Sequence, residues 1–404
     1  VSDLKVRGGY GTMGNSNFLS ATNQYNLYGG DASQGYDING TNNSIAAGFY
    51  RTQIGNAGAK WETNVTSNIG IDGAFFNNKL EVVLDFWRRD TKDLLYQLAL
   101  PGVVGVRSGA PFKNLASMRN EGIDILVTNR GNVTNGLTYE VTAIASFLNN
   151  KIVAIDPLVP YFYGGGTRLS GNVVRNEPGH QLSSFYGYKV IGLFNSKEEV
   201  AAAPTQDGAA PGRFRYADTN GDGKIDDSDR QYLGSPIPKM TGSITLTLKY
   251  KGFDLNTNLY TSLGNSIFNN QRWFTDFYPS FTGAAVSARV KDSWLPSHTN
   301  TTVPIFESAS NFSTNTQPNS YYVENGSYAR MQYLTLGYTF PSTILNKINM
   351  NRLRISLSAT NLFTITKYTG MDPGVGGSAD TNFGIDVGNY PVQRGYNVGL
   401  SFGF

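Results

Sequence analysis

The stretch QRGYNVGLSFGF, residues 393–404, places Tyr396, Val398, Leu400, Phe402 and Phe404 on one side and Asn397, Gly399, Ser401 and Gly403 on the other. Strict alternation at period two is the pattern of a β-strand with one apolar face. The same period recurs upstream. Ile244, Leu246, Leu248 and Tyr250 oppose Ser243, Thr245, Thr247 and Lys249, and Leu353, Ile355, Leu357 and Ala359 oppose Arg354, Ser356, Ser358 and Thr360. In Gly122–Thr128 the alternation is imperfect, because Leu126 falls among the polar positions.

Collecting such segments predicts ten strands, near 4–10, 61–76, 79–96, 119–130, 137–150, 241–250, 253–264, 328–340, 351–362 and 393–404. Most reach the roughly 9–11 residues that a tilted strand needs to cross a bilayer. Short connections at 76–79, 130–136, 250–252 and 341–350 alternate with long polar ones at 11–60, 97–118, 151–240, 265–327 and 363–392. A transmembrane barrel has short periplasmic turns and long extracellular loops, whereas a soluble sandwich has no reason to gather its long loops at one end. With Phe404 at the periplasmic end, the five long segments lie outside the cell. Every backbone polar group in hydrocarbon must be paired, so the strands must join a closed barrel, apolar faces to lipid and Ser, Thr, Asn and Arg faces to a wet lumen. Tyr139, Tyr250, Tyr333 and Tyr338, near strand ends, are expected in the interfacial belts.

Composition agrees with this reading. The 404 residues hold 46 glycines, 24 tyrosines and 23 phenylalanines, and only 16% are charged, against roughly 25% in an average soluble chain. No run approaches the 18 or so apolar residues of a transmembrane helix. No h-region of a signal peptide follows Val1. Cysteine is absent, so disulfides and thiolate metal sites are excluded. A net charge of +3, with no basic run beyond Arg88-Arg89, argues against nucleic acid as a partner.

Residues 218–229, DTNGDGKIDDSD, carry the spacing of a calcium loop: Asp218, Asn220 and Asp222 at positions 1, 3 and 5, Gly223 at 6, the Lys224 carbonyl at 7 and Asp229 at 12. Asp229 stands where an EF-hand has Glu, and its shorter side chain reaches less far. The flanks Arg213–Tyr216 and Leu233–Pro236 offer no pair of amphipathic helices, so a sensor that opens a helix pair is not expected. The expectation is a structural Ca²⁺ bracing an extracellular loop, with affinity on the order of 10⁻⁴ to 10⁻³ M. The alternative is a solvated turn without metal.

Tyr161, Trp273, Phe274 and Tyr278 sit in aromatic clusters of two long loops. They are candidates for contact with a ligand or partner, and packing of loop on loop is the competing reading. His180 and His298 lack the spacing of a catalytic triad. Gly164-Gly165-Gly166 lacks the strand-to-helix junction of a phosphate cradle and reads as flexible loop.

Seven separated stretches carry a family resemblance: KWETNVTSNIGID (60–72), NLASMRNEGIDI (114–125), DTNGDGKIDDSDRQYLGSPIPK (218–239), YKGFDLNTNLYTSLGN (250–265), SYARMQYLTLGYTFP (327–341), SLSATNLFTITKYTGMDP (356–373) and GIDVGNYPVQRGYNVGLSFGF (384–404). In this order they resemble the C-terminal half of the SusC/RagA-type TonB-dependent outer-membrane transporters of Bacteroidetes. The resemblance implies an all-β chain, an antiparallel transmembrane β-barrel of which about ten strands form the later part of a 22-stranded whole. Neither plug nor TonB box is read in residues 1–404, so both, with about twelve further strands, are expected upstream. The implied partners are the remainder of the barrel and its plug, TonB through that plug, a SusD-like surface lipoprotein and outer-membrane lipid. The implied role is import of nutrient oligomers, glycan or peptide, without catalysis in this chain. Two alternatives stay open from the residues alone: a self-contained ten-stranded barrel enzyme, and a passive porin or adhesin. Pairing of the segment at 4–10 with that at 393–404 would favour the first.

Overall fold

Left-handed residues set the tight turns. Phe76, Asn77 and Asn78 take φ of 54°, 53° and 62°, and Lys251-Gly252 take 45° and 88°. Two residues in this region match the twist of flanking strands in a hairpin. The computed structural model describes residues 1–16, 19–30, 35–37, 40, 46, 48–97, 110–133, 136–279, 283–376 and 382–404. Ten strands of its main sheet follow one another in sequence order: β1 (Asp3–Asn15), β2 (Glu62–Phe75), β3 (Leu80–Gln97), β4 (Phe112–Asn132), β5 (Thr138–Ile155), β6 (Met240–Tyr250), β7 (Phe253–Leu263), β8 (Tyr328–Thr339), β9 (Arg352–Thr360) and β10 (Gly395–Gly403). Each pairs antiparallel with its sequence neighbour. Among the described residues β1 pairs only with β2 and β10 only with β9, so the sheet is open at both ends.

All ten expected strands are present, but β1, β4 and β5 run five to seven residues further than the alternation indicated, on the side of the long loops. In β4 and β5 apolar residues fall on both faces there, with Leu115, Ala116 and Ile152 buried and Val153 exposed, and in β1 Gly11 and Gly14 interrupt the apolar set, which removes the period-two signal without removing the ladder. Beyond β9 a left-handed Asn361 (φ 49°) breaks the strand, and Thr364–Thr366 resumes pairing with β8.

Register puts the apolar positions on one face. Gly8, Ile69, Phe86, Ile123, Phe147 and Met240 lie side by side across six strands. Their face is unburied: Ile69, Phe86, Phe147, Ile244, Leu357 and Leu400 are all exposed. An apolar surface this continuous is not stable against water and requires hydrocarbon. The opposite face carries polar ladders, with Thr128 to Thr142 at 3.0 Å, Asn258 to Thr245 at 2.8 Å and Thr335 to Ser358 at 3.0 Å. Tyr333 shares the face of Thr335, so it points to the polar side, not to an interfacial belt. Glycine lets arginine cross this inner surface. Arg7 lies over Gly70 to reach Asp85 and Asp72, and Arg354 lies over Gly337 to reach Asp254 at 2.6 Å. A Cβ at Gly70 would stand 2.7 Å from the Arg7 guanidinium carbon.

The dense core lies outside the sheet. Val173, Val174, Phe185, Tyr188, Phe214, Tyr216, Phe268 and Tyr322, all at most 1% exposed, come from segments 151–240 and 265–327. Small sheets organise them: Phe162–Gly166, Asn172–Asn176, Phe185–Gly187 and Gln231–Gly234 form one, and Ser266–Asn269, Val323–Asn325 and Ile385–Asp386 another. The expected loops at 151–240 and 265–327 are thus a folded cap with its own hydrophobic interior. Gly165, expected in flexible loop, is a packing position: its φ is 67°, and a Cβ there would meet Ile385 Cδ1 at 2.7 Å.

Candidate functional site

The cap is joined across its loops by ion pairs and hydrogen bonds, buried or partly buried. Asp276, at the end of the short helix Gln271–Thr275, has no side-chain exposure and accepts two hydrogen bonds from Arg289, at 3.0 and 3.1 Å, and one from Tyr321 at 2.9 Å. Arg272 pairs with Glu324 at 3.0 Å and lies over the Tyr321 ring. Tyr368 donates to Asp386 at 2.5 Å, Gln271 to the same carboxylate at 2.8 Å, and Thr369 to Glu324 at 2.9 Å. These contacts hold segment 363–392 against 265–327. Segment 151–240 is held in turn by Arg213–Glu307 at 2.6 Å, Gln206–Ser313 at 2.8 Å and Trp294–Asn195 at 3.0 Å. Burial, followed by the nearby Asp276 charge, pushes the Tyr321 hydroxyl far above the usual phenol range. Burial and the bond to Asp386 do the same for Tyr368. Both remain protonated donors at any physiological pH.

In the 218–229 loop, Asp218 accepts from the N–H of Gly221 at 2.7 Å and of Gly223 at 3.0 Å. Asn220 accepts from Asp222 N–H, and Asp222 from Lys224 N–H at 2.9 Å. Gly223 takes φ 80°, the sharp turn expected of it. The Asn220 amide lies 3.0 Å from an Asp222 oxygen, so positions 3 and 5 face each other. Asp229 is fully buried, and its two oxygens accept from Thr219 N–H at 2.7 Å and Asp226 N–H at 2.9 Å, which closes the loop. Among the described residues no three Asp, Glu, His or Cys side chains converge to hold a metal. The flanks are strands, Phe214–Tyr216 and Gln231–Gly234, not helices.

The aromatic candidates divide by environment. Trp273 is half-buried against the cap core and donates its indole N–H to the Asn315 carbonyl at 3.0 Å. Phe274 meets it edge-on at 4.8 Å, with Arg168 over both rings. Tyr161 lies 4.0 Å from the Arg175 guanidinium carbon, which is also over Tyr186, so the cation is sandwiched. Tyr278 is half exposed beside Phe306. His180 stacks on Tyr232 at 3.6 Å, and His298 bonds Asp292 at 2.7 Å; the other Asp292 oxygen accepts from the Thr301 hydroxyl at 3.1 Å. The Asp276 hub and the Arg175 sandwich were not singled out from sequence. Asp276 and Tyr321 are 45 residues apart in sequence, and neither group carries a local signature.

No family model matches the chain. Among curated proteins it is similar to TonB-dependent receptor P3 of Formosa agariphila, 31% identical over 368 residues, which are 88% of this chain and 36% of that protein. TonB-dependent receptor SusC of Bacteroides thetaiotaomicron is 26% identical over 414 residues, 100% of this chain and 38% of SusC. Among solved structures the RagAB peptide transporter superimposes with a TM-score of 0.81 at 23% identity, over 100% of this chain and 41% of that one. The chain thus spans about two fifths of the length of the proteins it matches.

Proposed function

Because this chain belongs to the SusC/RagA-type TonB-dependent receptors, we propose that it is the later wall of an energised outer-membrane importer for nutrient oligomers, glycan or peptide. The observation that carries this reading is a sheet with an apolar outer face, a polar inner face and two open edges, β1 and β10. Open edges cannot lie in hydrocarbon, so further strands of the same protein must cover them. A barrel closed at ten strands, the enzyme alternative, requires β1 to pair with β10, and it does not.

In this reading the wall stays rigid and the work is done elsewhere. A plug inside the completed barrel blocks the lumen. TonB pulls on it using the inner membrane's proton gradient, and a SusD-like lipoprotein on the cap delivers the cargo. The Arg–Asp pairs of the inner face, at Arg7 and Arg354, give the plug a charged, hydrogen-bonding surface to seat on. Of Tyr161, Trp273, Phe274 and Tyr278, Tyr278 is the exposed ring and is offered for contact with partner or cargo. The test is uptake of labelled oligosaccharides and peptides by cells carrying the full-length receptor, with and without TonB. Uptake that survives loss of TonB would exclude energised import in favour of a passive pore.

We propose also that Asp218, Asn220, Asp222, the Lys224 carbonyl and Asp229 take a structural Ca²⁺. Their spacing and the turn at Gly223 support this; Asp229 departs from it by serving the loop's own N–H groups.

A further inference from the structure

We propose that the outward face of β2–β5 holds a lipid with a phosphorylated headgroup, an inference that rests on the outer-membrane reading above. One row of register partners on this face, Ile69, Phe86, Ile123 and Phe147, is apolar and 37–55% exposed. The next row toward the cap is Ser67, Arg88, Glu121 and Asn149, and the one after it Val65, Asp90, Arg119 and Lys151. The change from apolar to charged within one row marks where hydrocarbon ends and headgroups begin. A groove of about 630 Å³ lies at that step, lined by Phe86, Arg88, Ile123, Phe147 and Lys239 among others. Adjacent strands lie about 4.8 Å apart, so the two phenylalanines, two strands apart, stand about 10 Å from each other over the shorter Ile123. That leaves a trough for one acyl chain, with charge at its outer end.

The charge is arranged for an anion. Asp90 holds Arg88 at 2.9 Å and Arg119 at 2.7 Å, and leaves their side chains 45% and 33% exposed. Lys151 is the register partner of Arg119. In these two rows three cations, Arg88, Arg119 and Lys151, stand beside two carboxylates, Asp90 and Glu121. A guanidinium already fixed by a carboxylate loses little entropy on binding phosphate, which it meets with paired donors. A second copy of this face would set the same cations against themselves, so lipid is the occupant the charge favours.

The experiment uses the full-length receptor, extracted in mild detergent, stripped of lipid and titrated with lipid A or with its dephosphorylated form of identical acyl chains, read by native mass spectrometry. The wild type is expected to prefer the phosphorylated form at least about tenfold. R88Q/R119Q should bring its affinity down to that of the dephosphorylated form, and F86A/F147A should weaken both. Equal affinity of the wild type for the two lipids, an unchanged preference in R88Q/R119Q, or cross-links joining two receptor copies through this face would overturn the proposal. If R88Q/R119Q fails to insert, the wild-type preference decides alone. A wild type absent from the outer membrane or lacking heat-modifiable migration would instead overturn the reading beneath it.

Discussion

At Asp276 a carboxylate with no exposed side-chain surface depends on Arg289 and Tyr321 for its charge to be tolerated. Removing Asp276 leaves Arg289 and the Tyr321 hydroxyl without their acceptor, and because the Arg289 side chain is 32% exposed to water the cost is about 1–3 kcal/mol, below that of a fully buried pair. Asp276→Leu is therefore expected to loosen the cap while leaving the sheet assembled, seen as faster hydrogen exchange confined to 265–327 and 363–392. A smaller residue-scale effect follows from pH. Burial alone would raise the Asp372 pKa, but N–H bonds from Gly374 and Val392 and the Arg330 pair at 2.5 Å hold it below the ordinary carboxylate value. A depressed pKa contributes stability that is complete above the unfolded value of about 3.9 and is lost as pH falls through the folded one. Proteolysis of segment 363–376 should be unchanged from pH 7 to pH 5 and accelerate below about pH 4. At the 218–229 loop, Asp218→Ala with Asp222→Ala should abolish any calcium-dependent protection of 214–234, measured at millimolar Ca²⁺; protection that never depended on calcium would refute the metal.

At the scale of elements the two faces of β10 are expected to respond oppositely. Leu400→Arg puts a charge into hydrocarbon and should cost about 2–4 kcal/mol near the bilayer midplane, whereas Asn397→Arg, on the polar face, should cost little. Heat-modifiable migration of the full-length receptor separates the two, and equal loss in both would contradict the face assignment. In the cap, Gly165→Ala meets both a left-handed backbone and a crowded Ile385. A destabilisation of about 1–3 kcal/mol is expected, local to the small sheets. The ten main strands were legible because each has a membrane-width segment in which one face must be apolar. The outer extensions of β1, β4 and β5 were not, because in β4 and β5 apolar residues such as Leu115, Ala116, Ile152 and Val153 fall on both faces and in β1 glycines interrupt the set, so no alternation is left to read.

For the whole molecule, period two in segments such as 393–404, together with short and long connections in alternation, determined an antiparallel transmembrane sheet and its lipid face. Those properties follow from local chemistry, since a strand between lipid and water must alternate wherever it is placed. Tertiary structure alone decided the rest. The open edges of β1 and β10 depend on which strands find each other, and the cap core depends on aromatic residues as distant as Phe185 and Tyr322 meeting in one interior. Burial of a ring is a property of its neighbours in space. The sequence around Trp273 carries no signal of its burial, and it is the fold that half-buries Trp273 against the cap core and leaves Tyr278 half exposed.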